Sequence, residues 1–373
     1  FMKRRSFNKT LVTSIAGIST SQNIFSDSKI RKKLGVALVG LGSYSKGALG
    51  PAILETEFCE LKAIVTGTPS KVNEWKKSYN INDNAVYSYE NFESIANNDQ
   101  VDIVYIVLPN NMHKEYTIKA LESGKHVICE KPMALNAQEA MEMIEVSKRV
   151  KKELFMGYRL HYDPYHLECI NYCRNQTFGK LNVVLGEFGY GISNRDHWKL
   201  KKSYGGGALM DVGIYAIQAA RYCTGEEPIS LSAKEYKTDS SKFSEVDDTI
   251  VWQMEFSNGK VANCATSFSA SMNNLHLGFE KGFAKLHPAY TWRKVSGYTS
   301  KKQLTFPNIN QQALHMDGIS NYLINKTASF YIEFFRNIPL LLQIFFWYFA
   351  ALRALPMPED ASLLLGTSYM TIK

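Results

Sequence analysis

No Cys-x-x-Cys pair occurs among the 373 residues, and the six cysteines (Cys59, Cys129, Cys169, Cys173, Cys223, Cys264) mostly fall inside apolar stretches. That spacing excludes a zinc ribbon or finger. It reads the thiols as small buried hydrophobes rather than a disulfide framework, which a domain of this size does not need. Internal repeats are absent, and so is the polar composition of a disordered chain: 45% of the residues are hydrophobic, enough for two domains that each bury a core. Blocks of like charge are missing too. The net charge is +8, but the basic residues are scattered in short pairs such as Lys32-Lys33, Lys151-Lys152, Lys201-Lys202 and Lys301-Lys302. These read as solvated faces and exclude the concentrated basic footprint of nucleic-acid binding.

The two ends carry what the middle lacks. Met2-Lys3-Arg4-Arg5-Ser6-Phe7-Asn8-Lys9, followed by a mildly apolar stretch from Thr10 to Ile18, resembles a twin-arginine export signal, so residues 1–30 are expected to be a leader with a short arm and the protein periplasmic. At the other end, 328–373 is atypically apolar and aromatic around Ile338 to Phe349. Three readings stay open for it: a shifted reading frame, an unusual packed helix, or a membrane anchor. The interruptions by Glu333, Arg336, Pro339 and Arg353 speak against the last.

From Lys33 onward, short apolar runs alternate with helical stretches, the pattern of a parallel sheet built from βαβ units. Leu34 to Val39 reads as the first strand and runs into Gly40-Leu41-Gly42-Ser43-Tyr44-Ser45. Gly40 permits a tight bend and Gly42 lets the backbone approach a pyrophosphate at a helix N-terminus, while Ser45 stands where a third glycine is usual. The second strand, Glu60 to Val65, ends in Thr66-Gly67-Thr68-Pro69-Ser70-Lys71 with no acidic residue. A carboxylate there would accept bonds from the ribose 2′-hydroxyl of NAD. Thr66 and Lys71 instead offer a hydroxyl and a cation to a 2′-phosphate, which favours NADP over NAD. Further strands are expected at Asp102–Leu108, Lys125–Cys129 and Leu154–Arg159.

At Glu130-Lys131-Pro132 a family resemblance emerges. With Val39-Gly40-Leu41-Gly42, Val104 to Asn110, Gly124 to Ala134, Gly157 to Pro164 and Gly205 to Tyr215, the chain resembles the glucose–fructose oxidoreductase, inositol dehydrogenase and rhizopine-catabolism (Gfo/Idh/MocA) family. Within it, the chain looks similar to the glucose–fructose oxidoreductase type. The resemblance implies a Rossmann domain with a doubly wound parallel sheet (31–157) and an α+β substrate domain with a large, open, mainly antiparallel sheet (158–327). It also implies a homo-oligomer, dimer or tetramer, built on that sheet, and a small sugar as substrate. Lys131 matches the family's active-site lysine, and Asp211 and Tyr215 its second-domain pair. Gly40, Gly42, Ser43 and Tyr44 fall at the pyrophosphate, Thr66, Gly67 and Lys71 at the adenosine phosphate, and Tyr89 near the adenine. Leu108, Asn110 and His113 match the nicotinamide side, with Glu130, Lys131, Arg159 and Trp198 closing around it. No metal is implied.

Oxidising a sugar carbinol requires a base within reach of its hydroxyl. A phenol is a poor base near neutrality unless a cation stabilises the phenolate, so the reading pairs Tyr215 with Lys131. Asp211, four positions before Tyr215, is expected on the same helix face, either orienting substrate or lysine or capping the helix after Gly205-Gly206-Gly207. Retained NADP would support a cycle of glucose to lactone and fructose to sorbitol. Only about a dozen residues, Ser21 to Lys32, stand where that type carries a long clasping arm, so a simple aldose or cyclitol dehydrogenase stays open, as does a non-catalytic cofactor-binding sensor.

Overall fold

The computed structural model describes residues 33–337, with side chains to Lys326. The expected export signal, and the apolar segment beyond Asn337, lie outside the described residues.

Six parallel strands form the first sheet in the order β3-β2-β1-β4-β5-β6, where β1 is Leu34–Val39, β2 Cys59–Val65, β3 Val86–Tyr87, β4 Ile103–Ile106, β5 His126–Glu130 and β6 Leu154–Gly157. Strands β1 and β4 are almost wholly buried, as continuous Val/Ile/Leu runs covered on both faces must be. Helices α1 (Val72–Tyr79), α2 (His113–Glu122) and α3 (Ala137–Val150) make three of the crossovers, while shorter helical segments, residues 45–53 and Phe92–Asn97, join β1 to β2 and β3 to β4. Local chemistry sets their ends. The Asn136 side chain accepts from Glu139 N, the Glu139 carboxylate accepts from Leu135 N, and together they cap α3 reciprocally. Because the order reverses between β1 and β4, a crevice opens beyond their carboxyl ends.

The second sheet has eight strands in the order β14-β13-β12-β11-β7-β10-β9-β8. These are β7 Leu181–Gly189, β8 Ser230–Tyr236, β9 Thr249–Glu255, β10 Val261–Ser267, β11 Met272–Phe279, β12 Gly282–Leu286, β13 Gly297–Thr299 and β14 Gln303–Leu304. All neighbours are antiparallel except the β7–β10 pair. Trp252, Met254, Val184, Leu275 and Leu277 point inward onto α4 (Pro164–Arg174) and α5 (Ile214–Thr224). On the outer face Leu185, Val251, Tyr236 and Tyr298 remain exposed.

One element departs from chain order. Helix α6 (Gln311–Asn337) follows the second sheet, yet it buries Ala313, Met316, Ile319 and Leu323 in the core of the first. The Asp317 carboxylate anchors it there by accepting from Glu57 N and Phe58 N. Five of the six cysteines are buried.

Candidate active site

A cleft of about 1330 Å³ runs along the carboxyl ends of β1, β2, β4 and β5 and continues between the two sheets. It exceeds the roughly 300–1,000 Å³ of ordinary small-molecule pockets, as a dinucleotide and a second substrate together require. Gly40 makes the first bend at φ +91°, where a Cβ would lie 2.3 Å from the Val107 carbonyl oxygen; only glycine lets the ends of β1 and β4 close so tightly. A Cβ on Gly42 would meet nothing within 4 Å, so this side of the turn is open to a bound group. Ser45 is buried, and its hydroxyl donates to the Gly40 carbonyl at 2.5 Å, bracing the turn from inside. A third glycine offers no such bond.

Beside this turn Thr66, Thr68, Lys71 and Tyr89 line the cleft at the end of β2. Gly67 does not line it. A Cβ there would press on the edge of the Tyr89 ring at 2.8 Å, so Gly67 serves by letting that ring approach the strand end closely. A donor set of two hydroxyls and an ammonium, without a carboxylate from Thr66 to Lys71, fits a phosphorylated ribose.

At the other end Leu108, Asn110, Glu130, Lys131, Arg159, Trp198, Asp211 and Tyr215 come together around the cleft. Three of them are tied down by bonds that sequence reasoning did not foresee. Asn110 Nδ2 donates to the Gly205 carbonyl at 2.7 Å. The buried Arg159 guanidinium donates to the Tyr290 and Thr291 carbonyls and to Gln311, so it holds the second domain to the start of α6; it lies 5.4 Å from the Tyr215 ring centre. Glu130 accepts from Tyr105 OH at 2.8 Å and from Lys131 N at 3.2 Å. His113 departs further from its expected place at the nicotinamide. It is buried below the cleft, its ring nitrogens 2.7 Å from the Pro132 and 2.9 Å from the Leu108 carbonyl, where it ties together the two loops that line the site.

The reactive cluster has two more members than expected. The Lys131 ammonium donates to the Asp211 backbone carbonyl at 2.6 Å, stands 3.4 Å from Asp211 Oδ1, and lies 5.0 Å from the Tyr215 ring centre. Lys199 Nζ donates to Asp211 Oδ2 at 2.7 Å and to Tyr190 OH at 2.9 Å, and the Tyr190 hydroxyl donates to the same carboxylate oxygen at 2.7 Å. Burial opposes ionisation of Asp211, but Lys131 and Lys199 outweigh it and hold the carboxyl well below the usual carboxylate range. Burial likewise opposes the charge on Lys131, yet Tyr215, Asp211 and Glu130 around it keep the ammonium above the ordinary lysine value. Asp211 is thus an ionised anchor and not an acid. Nor is it a cap: it sits inside a π-turn, Leu209–Gly213, that leads into α5, and Asp247 instead accepts from Leu209 N. Neither Lys199 nor Tyr190 belongs to a recognisable motif, and only the tertiary structure brings them in. Among the described residues no three His, Cys, Asp or Glu side chains gather as metal ligands, and no helix is long and apolar enough to cross a membrane.

Glu130 offers a test of this electrostatic environment, because burial pushes its carboxyl up to about 7. The folded state therefore keeps a proton that the unfolded chain releases near 4.5. Stability falls as pH rises between those values and levels off above, by up to about 3 kcal/mol. Glu130→Gln removes the titration. Urea unfolding at pH 5, 6, 7 and 8 should show the variant gaining on the parent as pH rises; a constant difference would mean Glu130 is already ionised when folded.

Comparison with known proteins agrees with this architecture. The family model described as an oxidoreductase family with an NAD-binding Rossmann fold matches residues 34–158, and that of the GFO/IDH/MocA C-terminal domain matches 167–284. The aldose-aldose oxidoreductase of Caulobacter crescentus, solved with glycerol, superposes with a TM-score of 0.76 at 35% identity, covering 79% of this chain and 90% of that one. A D-xylose 1-dehydrogenase [NADP(+)] from Haloarcula marismortui is 26% identical over 307 residues, covering 79% of this chain and 84% of that protein. A trans-1,2-dihydrobenzene-1,2-diol dehydrogenase from Xenopus laevis is 26% identical over 221 residues, 59% of this chain and 65% of that protein. The matched domains, the parallel and antiparallel sheets and the cleft between them place this chain in the Gfo/Idh/MocA oxidoreductase family.

Proposed function

We propose that the protein is an NADP-dependent sugar oxidoreductase that takes a hydride and a proton from the carbinol of a glucose-like aldose, forming the lactone. The observation that carries this reading is the convergence of Lys131, Asp211 and Tyr215 on one side of the dinucleotide cleft. Similarity to an aldose-aldose oxidoreductase and to an NADP-linked xylose dehydrogenase supports a sugar substrate. NADP, when bound, supplies the hydride acceptor. The Tyr215 oxygen, for which the described residues provide no hydrogen-bond partner, takes the proton of the substrate hydroxyl as the phenolate, a form the Lys131 ammonium favours. Lys131 stabilises the negative charge that develops on that oxygen. Asp211, held ionised between two ammonium groups, keeps Lys131 in place and is not the proton acceptor. Thr66, Thr68 and Lys71 line the cleft at the end of β2 with no carboxylate among them, a donor set suited to a 2′-phosphate, which supports NADP over NAD.

Two modes remain within this reading. In one, NADP stays bound and a second sugar, such as fructose, takes the hydride back; in the other, NADPH leaves after each turnover. The similarity to an aldose-aldose oxidoreductase supports the first and that to a xylose dehydrogenase the second. Export to the periplasm, from the Arg4-Arg5 leader, and a dimer or tetramer through the exposed outer face of the second sheet belong to the same proposal; cell fractionation and light scattering test them.

The deciding measurement is the absorbance near 340 nm of purified, undialysed protein, before and after adding glucose or xylose and then fructose. Reduction of bound nicotinamide by the first sugar and reoxidation by the second establish the two-sugar cycle. Sugar-dependent reduction of added NADP alone establishes a simple dehydrogenase. No reduction with any aldose overturns the proposal.

A further inference from the structure

The Gly205-Gly206-Gly207 turn precedes the catalytic helix, and the chemistry above gives it no role. Its geometry does. A Cβ on Gly206 would lie 2.2 Å from the Lys199 carbonyl oxygen and 2.9 Å from that of Lys201, and Gly207 N donates to Lys199 O at 2.9 Å. On its other side Gly205 sits at φ +72° against Asn110 and Leu135, with a Cβ-to-Leu135 distance of 2.3 Å. Three residues without side chains thus clamp the backbone of the Trp198–Leu200 turn against the π-turn that bears Asp211. Lys199 is the residue so delivered.

Charge explains why its position matters. A lone Lys131–Asp211 pair is neutral overall, and its field at a nearby substrate oxygen is that of a dipole. With Lys199 on the opposite carboxylate oxygen, two ammonium groups share one carboxylate and the cluster carries a surplus positive charge. Tyr190 donates to that same far oxygen, so Asp211 Oδ2 is fully engaged and Oδ1 stays turned toward Lys131. The other ionisable groups facing the cluster are Glu130 from β5, Arg159 after β6, Tyr215 from α5, Tyr290 after β12, and His197 beside Lys199.

We infer that Lys199 is a positioning residue for hydride transfer: seated by the glycine turn, it engages the far oxygen of Asp211 so that the charge of Lys131 is left uncancelled toward Tyr215 and the substrate oxygen. The inference rests on the proposed function for its kinetic consequence, but not for its electrostatic one.

Lys199→Met tests it, with Lys199→Arg as the conservative partner and Gly206→Ala as a variant that displaces the lysine without removing its charge. With the sugar and NADP that the parent protein uses, the methionine variant should lose about 30-fold or more in kcat, with the KM for NADP within about twofold. The limb of the kcat/KM profile that rises with pH should move up by about one unit. The arginine variant should recover most of the rate and the original limb, and Gly206→Ala should lie between. A role confined to folding would lower stability without moving the pH limb. A substrate-free measurement separates this inference from the functional proposal: the Asp211 carboxyl carbon, followed by 13C NMR and assigned with Asp211→Asn, should titrate at distinctly higher pH in Lys199→Met than in the parent or Lys199→Arg. If no aldose is oxidised, the functional reading fails while the titration still judges the charge arrangement. An unmoved Asp211 titration, or an active Lys199→Met with the parent's rate and pH limb, overturns the inference.

Discussion

Replacing Lys131 with methionine should lower kcat about 1,000-fold while the affinity for NADP changes by no more than a few-fold. The side chain lies at the end of the cleft away from the Gly40 and Thr66 turns, where it bonds the Asp211 carbonyl and stands over the Tyr215 ring, so its loss removes the charge next to the reacting oxygen and little of the cofactor's contact. The variant should fold. Asp211 keeps Lys199 and Tyr190 as partners on Oδ2, so no carboxylate is left buried and unpaired, and methionine fills a similar volume. Tyr215→Phe should cost a comparable factor, and the double variant little more than either alone, because the two act as one unit on one proton. The check is steady-state kinetics with the active aldose, alongside fluorescence titration of NADPH into each variant. A loss below tenfold for Lys131→Met would remove it from the chemistry and leave it a structural tie between the domains.

The second large effect concerns the cofactor. Thr66→Asp should invert the preference, lowering kcat/KM for NADP relative to NAD by roughly 1,000-fold, since a carboxylate about 4 Å from a 2′-phosphate costs on the order of 4 kcal/mol at the effective dielectric of such a site. Thr66 is the first residue beyond β2 and lines the cleft, and its hydroxyl now accepts from Thr68 N at 3.1 Å, a bond a carboxylate oxygen can also accept. Lys71→Ala should weaken NADP by a smaller factor and leave NAD unchanged, because Lys71 offers charge alone. Initial rates with both cofactors decide the matter. A parent protein that already prefers NAD, or a Thr66→Asp variant with the parent's ratio, would place the 2′-phosphate elsewhere.

The parallel sheet was readable because its strands are covered on both faces and so are written as unbroken apolar runs; Leu34 to Val39 is a strand from the expected first residue to the last. Val86–Tyr87 went unseen, since two residues of edge strand carry no period. The outer sheet was expected from resemblance, and its pairing order has no counterpart in local pattern. Helix α6 begins inside the span that the resemblance assigned to the second domain, whereas burial of Met316 and Ile319 in the core of the first sheet depends on which core lies opposite. Pattern also placed Asp211 and Tyr215 on one helix face, but the π-turn between them is a backbone choice that residue types do not announce.

What the sequence by itself determined is the chemistry that residue types and short spacings carry: a glycine bend after a buried strand, a strand end without a carboxylate, and a lysine, an aspartate and a tyrosine in family positions. Such features act through the few residues around them, so a one-dimensional reading finds them. Only the tertiary structure decided which ionisable groups share a charge environment. Lys131 and Asp211 are 80 positions apart and Lys199 comes from a third segment, and the field at an atom depends on distance and burial rather than on order along the chain. For the same reason His113, which the family resemblance placed against the cofactor, spends its ring nitrogens on two backbone carbonyls, while Arg159 lines the cleft and is at the same time held by two carbonyls and a glutamine brought beside it by the fold.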